Sequence, residues 1–403
     1  MAERKKKIML LGGLRYLLPV IDSAHKLGLY VITCDYLPDN IAHKYSDEYH
    51  NVSIIDKEAI LKLAQELQID GIMSFAVDPG VVTAAYVQEQ MGLPAFGPYE
   101  SVCILQDKAR FRDFLRKNNF HCPWSYGFDS IESAMASVPR FTWPVIVKPT
   151  DSAGSKGVSK VDNPDCLPHA LKYAMQNSLN KNIIVEQYLE KVGCSSGSEC
   201  FAENGKFNFI SFASQRFDES ASNPYTPAGT SWPSTFSAEQ ENEFTSELQR
   251  LIKLMGMKTS LYNVEVRVAV DGKLYIMEVS PRGGGNRLAE MLQLATGAPL
   301  IENSVRACVG MPLKPMPHCS YDGHWLLLML HANRDGVYES LSIHSDYEKY
   351  VVERDMWVLP GDEVRAFRGA NDAIGTLFMR CDSVDQVEHL FAHLSDIVKV
   401  KVS

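Results

Sequence analysis

The chain has 403 residues, 45% hydrophobic and 22% charged, a composition that excludes a disordered or fibrous protein and fits a water-soluble globular one. That length exceeds one ordinary hydrophobic core, so two to four domains are expected. A net charge of -9 and a pI near 5.7 argue against a nucleic-acid or anionic-membrane partner, though a local basic pocket for a phosphate ligand stays open. The nine cysteines contain no CxxC pair, which argues against a disulfide framework or zinc site and fits a reducing cytoplasm. The basic start "MAERKKKIMLLGG" reaches glycine too soon for a signal peptide, and no apolar run approaches the roughly 20 residues of a membrane span.

In chain order, "KIMLLGG" reads as a buried strand, "RYLLPVIDSAHKLG" as a helix and "YVITCDY" as a second strand. "KEAILKLAQELQ", "DGIMSFA" and "GVVTAAYVQEQMG" continue the alternation as helix, strand and helix. Alternating βα units predict a doubly wound parallel sheet over residues 1–98, closed by the Pro/Gly-rich "GLPAFGPYES". Gly12, Gly13 and Asp35 imitate part of a dinucleotide fingerprint, but Leu14, Arg15 and Tyr16 follow where its spacing requires glycines. Two readings stay open there: a nicotinamide oxidoreductase, or a loop allowing close backbone approach to a substrate.

A helix, "DKARFRDFLRKNN", begins a second unit over 99–315. "WPVIVKP", a Gly/Ser loop and "GVSKV" look like a hairpin, followed by a helix at "LPHALKYAMQNSL" and a strand at "NIIVEQYL". Another hairpin turns at Asn204-Gly205. The aperiodic "RFDESASNPYTPAGTSWPST" reads as a polar functional loop, and "AEQENEFTSELQRLIKLMG" as an amphipathic helix. After Met311 a proline-rich linker leads to a small α+β piece over 316–403.

The strongest signal is "LYNVEVRVAVDGKLYIMEVSP". Asp271-Gly272 between two β-rich runs predicts a two-residue turn, with Val270 opposite Lys273. Glu265 then faces Glu278, Asn263 faces Ser280 and Arg267 faces Ile276. The other face carries Val264, Val266, Val268, Val270, Tyr275, Met277 and Val279 as a core face. Like charges directly opposed on a sheet are destabilising, so the pair implies either a cation such as magnesium between them or a solvated pair relieved by Arg267.

Lys148 ends a strand before a Gly/Ser loop, where backbone N–H groups, with Lys156, could meet phosphate oxygens; a plain flexible hairpin is the other reading. Lys108 opens a helix and by itself reads as solvated. The histidines show no ligand spacing and no cysteine sits beside a base pattern, so nucleophilic catalysis is not expected.

Taken together, the order of "DK", "VIVKP", the Gly/Ser loop, "IIVEQYLEK", "NVEVRV" and "IMEVSPRGGG" resembles the ATP-grasp superfamily to about residue 315. The resemblance implies a pre-ATP-grasp α/β domain, a two-part ATP-grasp domain with a lid subdomain at about 120–190, and a small C-terminal α+β domain. It implies Lys108 and Lys148 on ATP phosphates, a lid including Ser152, Ser155, Lys156 and Gly157, and an adenine hinge of Glu186, Gln187, Tyr188 and Leu189. Glu199 would be the ribose acid, and Glu265, Glu278 and Ser280 would hold magnesium or manganese. Arg282, with Gly283, Gly284 and Asn286, would meet the carboxylate substrate, Arg282 also stabilising its acyl phosphate. Relatives often carry asparagine where this chain has Ser280, which leaves the number of metal sites open. The "RDCS" segment of biotin carboxylases and the Asp-Gly-Lys-Gly lid of one purine-pathway branch are missing. The implied activity is an ADP-forming carboxylate–amine ligase acting on small molecules, with homodimers common among relatives. A carboxylase, a purine-pathway-type enzyme and a non-catalytic nucleotide-binding protein are the alternatives within the same resemblance.

Overall fold

The computed structural model describes residues 4–151, 156–223 and 226–403. Strands β1 (Lys7–Leu11), β2 (Tyr30–Cys34), β3 (Glu48–His50) and β4 (Gly71–Ser74) form a parallel sheet in the order β3-β2-β1-β4. Helix α1 (Leu18–Lys26) joins β1 to β2, α2 (Lys57–Leu67) joins β3 to β4, and α3 (Asp78–Met91) follows β4. The unbroken apolar run of β1 follows from its central place: Met9 and Leu11 enter one core, Ile8 and Leu10 the other. The doubly wound expectation holds. Its dinucleotide imitation does not, because a Cβ on Gly13 would lie 2.5–2.6 Å from His43 and Asn40, so side chains already fill that loop. The Asp35 carboxylate is occupied locally, accepting from Leu37 N at 3.1 Å and Asn40 Nδ2 at 3.3 Å.

Helices α4 (Tyr99–Gln106) and α5 (Lys108–Lys117) follow, the second capped by Asp107. Strands β5 (Ser125–Phe128), β6 (Val145–Pro149), β7 (Ser159–Val161) and β8 (Ile183–Gln187) make an antiparallel sheet ordered β5-β8-β6-β7. With α6 (Ile131–Ala136) and α7 (Leu167–Gln176) it has its own core, including Val145, Val147, Leu171 and Val185.

Next come β9 (Ser196–Glu203), β10 (Lys206–Ser211), β11 (Ser214–Phe217), β12 (Pro227–Trp232), α8 (Ala238–Leu254), β13 (Ser260–Val268) and β14 (Leu274–Ser280). The sheet β10-β9-β13-β14 carries the predicted hairpin, and its register corrects two details. Ala269 N donates to Lys273 O and Gly272 has φ +76°, so the turn holds three residues, not two. Near the turn Val266 faces Ile276, Arg267 faces Tyr275 and Val268 faces Leu274. A bulge at Met277 then restores the expected pairs Glu265↔Glu278 and Asn263↔Ser280. Between turn and bulge the strand is rotated, so Leu274 and Ile276 enter the core while Tyr275 and Met277 pack with Leu189 and Ala269 on the other face. Val270 is exposed.

The last elements are α9 (Leu288–Thr296), α10 (Leu300–Cys308), β15 (His324–Leu330), β16 (Gly336–Ile343), α11 (Ser345–Glu348), β17 (Val351–Met356), β18 (Glu363–Val364), β19 (Gly375–Cys381), α12 (Val384–Ala392), α13 (Leu394–Ile397) and β20 (Val398–Val402). A five-stranded sheet, β11-β12-β15-β19-β17, crosses the boundary expected near residue 315. The stretch read as a polar loop supplies β12 and the end of β11, with Trp232 buried and donating to Ser211 Oγ at 3.0 Å. All nine cysteines are free, and among the described residues no helix is long and apolar enough to cross a membrane.

Candidate active site

Glu265 and Glu278 stand opposite each other on one face of the β13–β14 pair, each about a third exposed. Lys108 Nζ lies 3.5 Å from Glu278 Oε2, and Arg267 Nη2 lies 3.5 Å from Glu265 Oε1. Two cations thus flank the acidic pair without closing it off. Among the described residues no cluster of three acid, histidine or cysteine side chains could hold a metal alone. The donor set fits magnesium, which keeps waters and substrate oxygens around one or two carboxylates, and manganese shares that preference.

The bulge also positions a lysine. Met277 O accepts from Arg112 Nη1 at 2.8 Å, and Arg112 Nε donates to Glu186 Oε2 at 3.0 Å. Glu186 Oε1 in turn accepts from Lys148 Nζ. Burial alone would raise the Glu186 carboxyl, but the charges of Arg112 and Lys148 outweigh it and hold it at about 2. Burial, then Arg112 and Lys108, pull the Lys148 ammonium below its ordinary value, and Glu186 opposes them. The Glu186 side chain therefore orients Lys148, and the hinge that the resemblance implies would read the base through backbone groups of Gln187 and Leu189. Arg112 escaped the sequence reading, although an arginine beside Phe111 and Leu115, buried like them, is an audible signal.

Beyond Glu186, Gln187 N donates to Trp124 O and Tyr188 N to Pro144 O, while Leu189 N has no protein acceptor among the described residues. Leu189 packs with Ala269, Tyr275 and Met277 into an apolar patch next to Arg112's anchor on Met277. Lys156 is exposed at the start of the turn to Gly157, and Ser152 and Ser155 lie outside the described residues.

At the other end, the turn 281–287 is tied to the parallel-sheet unit, the central sheet and the C-terminal sheet. Arg282 donates from Nε and Nη2 to the two oxygens of Asp78 at 2.7 and 2.6 Å, and from Nη1 to Gly283 O at 2.9 Å. Two of its five N–H groups remain for a ligand. Asp78, from α3, would be raised by burial, but Arg282 holds it low. Ser280 Oγ donates to Asp78 at 3.0 Å and accepts from Gln106 Nε2 at 2.8 Å, so the expected metal ligand is committed to positioning Asp78. Asp78 and Gln106 were missed because each looks like an ordinary helix-end residue.

Glu199 is also corrected. Its Oε1 accepts from Asn263 Nδ2 at 2.8 Å and Gly284 N at 2.9 Å, at the Arg282 end of the sheet, whereas Leu189 sits at the Arg267 end. Burial raises its carboxyl to about 8, and Oε2 has no partner among the described residues. It braces the turn rather than facing the hinge. A Cβ on Gly283 would meet Phe75 at 2.4 Å and one on Gly284 would meet Glu199 at 2.5 Å, so protein atoms occupy the space expected for substrate. Gly285 and Asn286 line the open cavity instead, Asn286 Oδ1 accepting from Tyr16 OH at 3.0 Å. Arg287 continues into ion pairs with Glu290, Glu353 and Asp355.

An antiparallel sheet with opposed acids, a second sheet supplying the largely buried Lys148, and a preceding parallel-sheet unit make up the arrangement that the ATP-grasp resemblance implies. Residues 141–290 match the family model described as an ATP-grasp domain. It is 26% identical over 322 residues to the formate-dependent phosphoribosylglycinamide formyltransferase of Parasynechococcus marenigrum (strain WH8102), covering 78% of this chain and 79% of that one. It is 26% identical over 232 residues to the carbamoyl phosphate synthase large chain of Thermoanaerobacter sp. (strain X514), covering 56% of this chain and only 20% of that one. The crystal structure of the L-amino acid ligase from Bacillus licheniformis superimposes with a TM-score of 0.82 at 18% identity, covering 100% of both chains.

Proposed function

We propose that the chain is an ATP- and magnesium-dependent ligase that activates a small carboxylate as its acyl phosphate and transfers the acyl group to an amine, releasing ADP and phosphate. The single observation that carries this reading is the opposed pair Glu265–Glu278 with Lys108 beside it and Lys148 held by Glu186. The apolar patch at Leu189, Tyr275 and Met277 and the Leu189 N–H, without an acceptor among the described residues, suit the base. Lys108 and Lys148 balance phosphate charge. Magnesium held by Glu265 and Glu278 would supply further charge neutralisation. The two remaining Arg282 N–H groups hold the carboxylate, aligned by Asp78, so that one of its oxygens attacks the terminal phosphorus and ADP leaves. The amine then attacks the acyl carbon and phosphate leaves; an amine arriving neutral needs no protein base to begin.

A cytoplasmic place suits nine free cysteines, and a homodimer is the assembly we favour from the resemblance. The test is ADP release with magnesium-ATP and pooled carboxylates and amines. Release should depend on a carboxylate and fall at least about 100-fold in Glu278→Gln, the scale of losing one transition-state charge contact. Unaltered release in that variant would refute the reading.

A further inference from the structure

The cavity beside the two acids has unequal walls, and the inequality bears on the substrate of the ligase proposed above. Its volume is about 180 Å³, below the roughly 300–1,000 Å³ of ordinary ligand pockets. One wall is polar, with Asn263, Asn286 and Arg282 beside the two acids. The rest of the lining is largely apolar, with Pro227, Leu288 at the start of α9, and Leu327 and Met329 from β15, interrupted by Gln215 and Thr230 of the neighbouring strands. Leu327 and Met329 are 1% and 3% exposed, so core packing fixes them in place.

Charge is just as uneven. Among the described residues lining the cavity, Arg282 is the sole cation, set against Glu265 and Glu278, and three of its N–H groups are already engaged. With magnesium on the two acids serving the ATP phosphates, Arg282 is the one cation among the described lining residues left for the substrate, and a substrate phosphate would add up to two negative charges with no cation of its own to meet. A carboxylate brings one, and a planar carboxylate matches two guanidinium N–H groups.

We propose that the carboxylate substrate bears a short apolar tail and no phosphate, its head at Arg282 and its tail against Leu288, Leu327 and Met329. The apolar L-amino acids are the simplest compounds of this class. Leu327 and Met329, set two apart on β15 and so on one face, determine the length of tail admitted. The inference rests on the ligase reading, and the test separates the two.

The full chain is assayed for ADP release with magnesium-ATP, an amine pool and single carboxylates: valine, leucine, methionine, phenylalanine, phosphoserine and 3-phosphoglycerate. Thermal shift with magnesium-ADP and the same six compounds gives a second readout. An apolar-tailed acid should raise ADP release about 10-fold or more above the carboxylate-free rate and should also raise the melting temperature. Met329→Ala should move the phenylalanine-to-valine ratio of kcat/KM about 10-fold toward phenylalanine, the worth of a methylene or two in an apolar pocket. Leu288→Ala, at a half-buried position, serves if Met329→Ala does not fold. Preference for a phosphorylated acid, or a ratio unmoved in a folded variant, overturns the inference and leaves the ligase standing. Nucleotide binding without carboxylate-dependent ADP release from any of the six or from the wider pool refutes both.

Discussion

Glu199 makes the brace beneath the substrate turn sensitive to pH. Its carboxyl sits at about 8 when folded, against roughly 4.3 in an unfolded chain. Between those values the folded state holds one more proton, so stability is greatest below the unfolded pKa and falls as pH rises, by about 1.4 kcal/mol per pH unit from this group. Glu199→Gln keeps an oxygen for Asn263 Nδ2 and Gly284 N and removes the titration. Urea melts at pH 5, 6, 7 and 8 should show the variant gaining on the wild type by about that slope; parallel curves would show that Glu199 does not carry the dependence. A second residue is simpler. Tyr262 is wholly buried in the core and its hydroxyl has no partner among the described residues. Tyr262→Phe should therefore leave stability equal or raise it by about 1 kcal/mol, whereas a loss of that size would mean the hydroxyl is satisfied in solution.

At the scale of elements, the β13–β14 hairpin teaches how a sequence reading can reach the right pairs by an incomplete route. Asp271-Gly272 marked the turn, but the αL glycine closes a three-residue loop, and loop length shifts register by one. The bulge at Met277 shifts it back, so Glu265 still meets Glu278. Nothing in "LYIMEVS" announces that bulge; it is fixed by tertiary partners, since Arg112 captures the Met277 carbonyl. The helix α5 and the β6–β7 hairpin were legible because each is amphipathic or turn-bounded within its own span. Gly157, in the connection between β6 and β7, combines φ +75° with a Cβ position 2.8 Å from Pro149 and 2.9 Å from Asn177. Gly157→Ala should cost about 1–3 kcal/mol and weaken nucleotide binding, read by urea melts and by titration; a variant unchanged in both would detach this turn from the site.

For the molecule as a whole, the turn 281–287 is where the chain's units are joined. Asp78 and Tyr16 reach it from the parallel-sheet unit, Glu199 from the central sheet, and Glu353 and Asp355 from the C-terminal sheet. These long-range partners were invisible in sequence because each lies more than sixty positions from the turn and no local period marks it. The same holds for β12, whose small and polar residues read as loop until β15 is seen to pair with them. The opposed acids, by contrast, could be read from one hairpin, and the account depends on them most. The direct measurement is calorimetric titration of the full chain with ATP, with and without magnesium, comparing wild type, Glu265→Gln and Glu278→Gln. The account expects magnesium to tighten ATP binding to the wild type at least about 10-fold, or roughly 1.4 kcal/mol, and expects either substitution to abolish that gain. Equal magnesium-dependent tightening in all three proteins would contradict it.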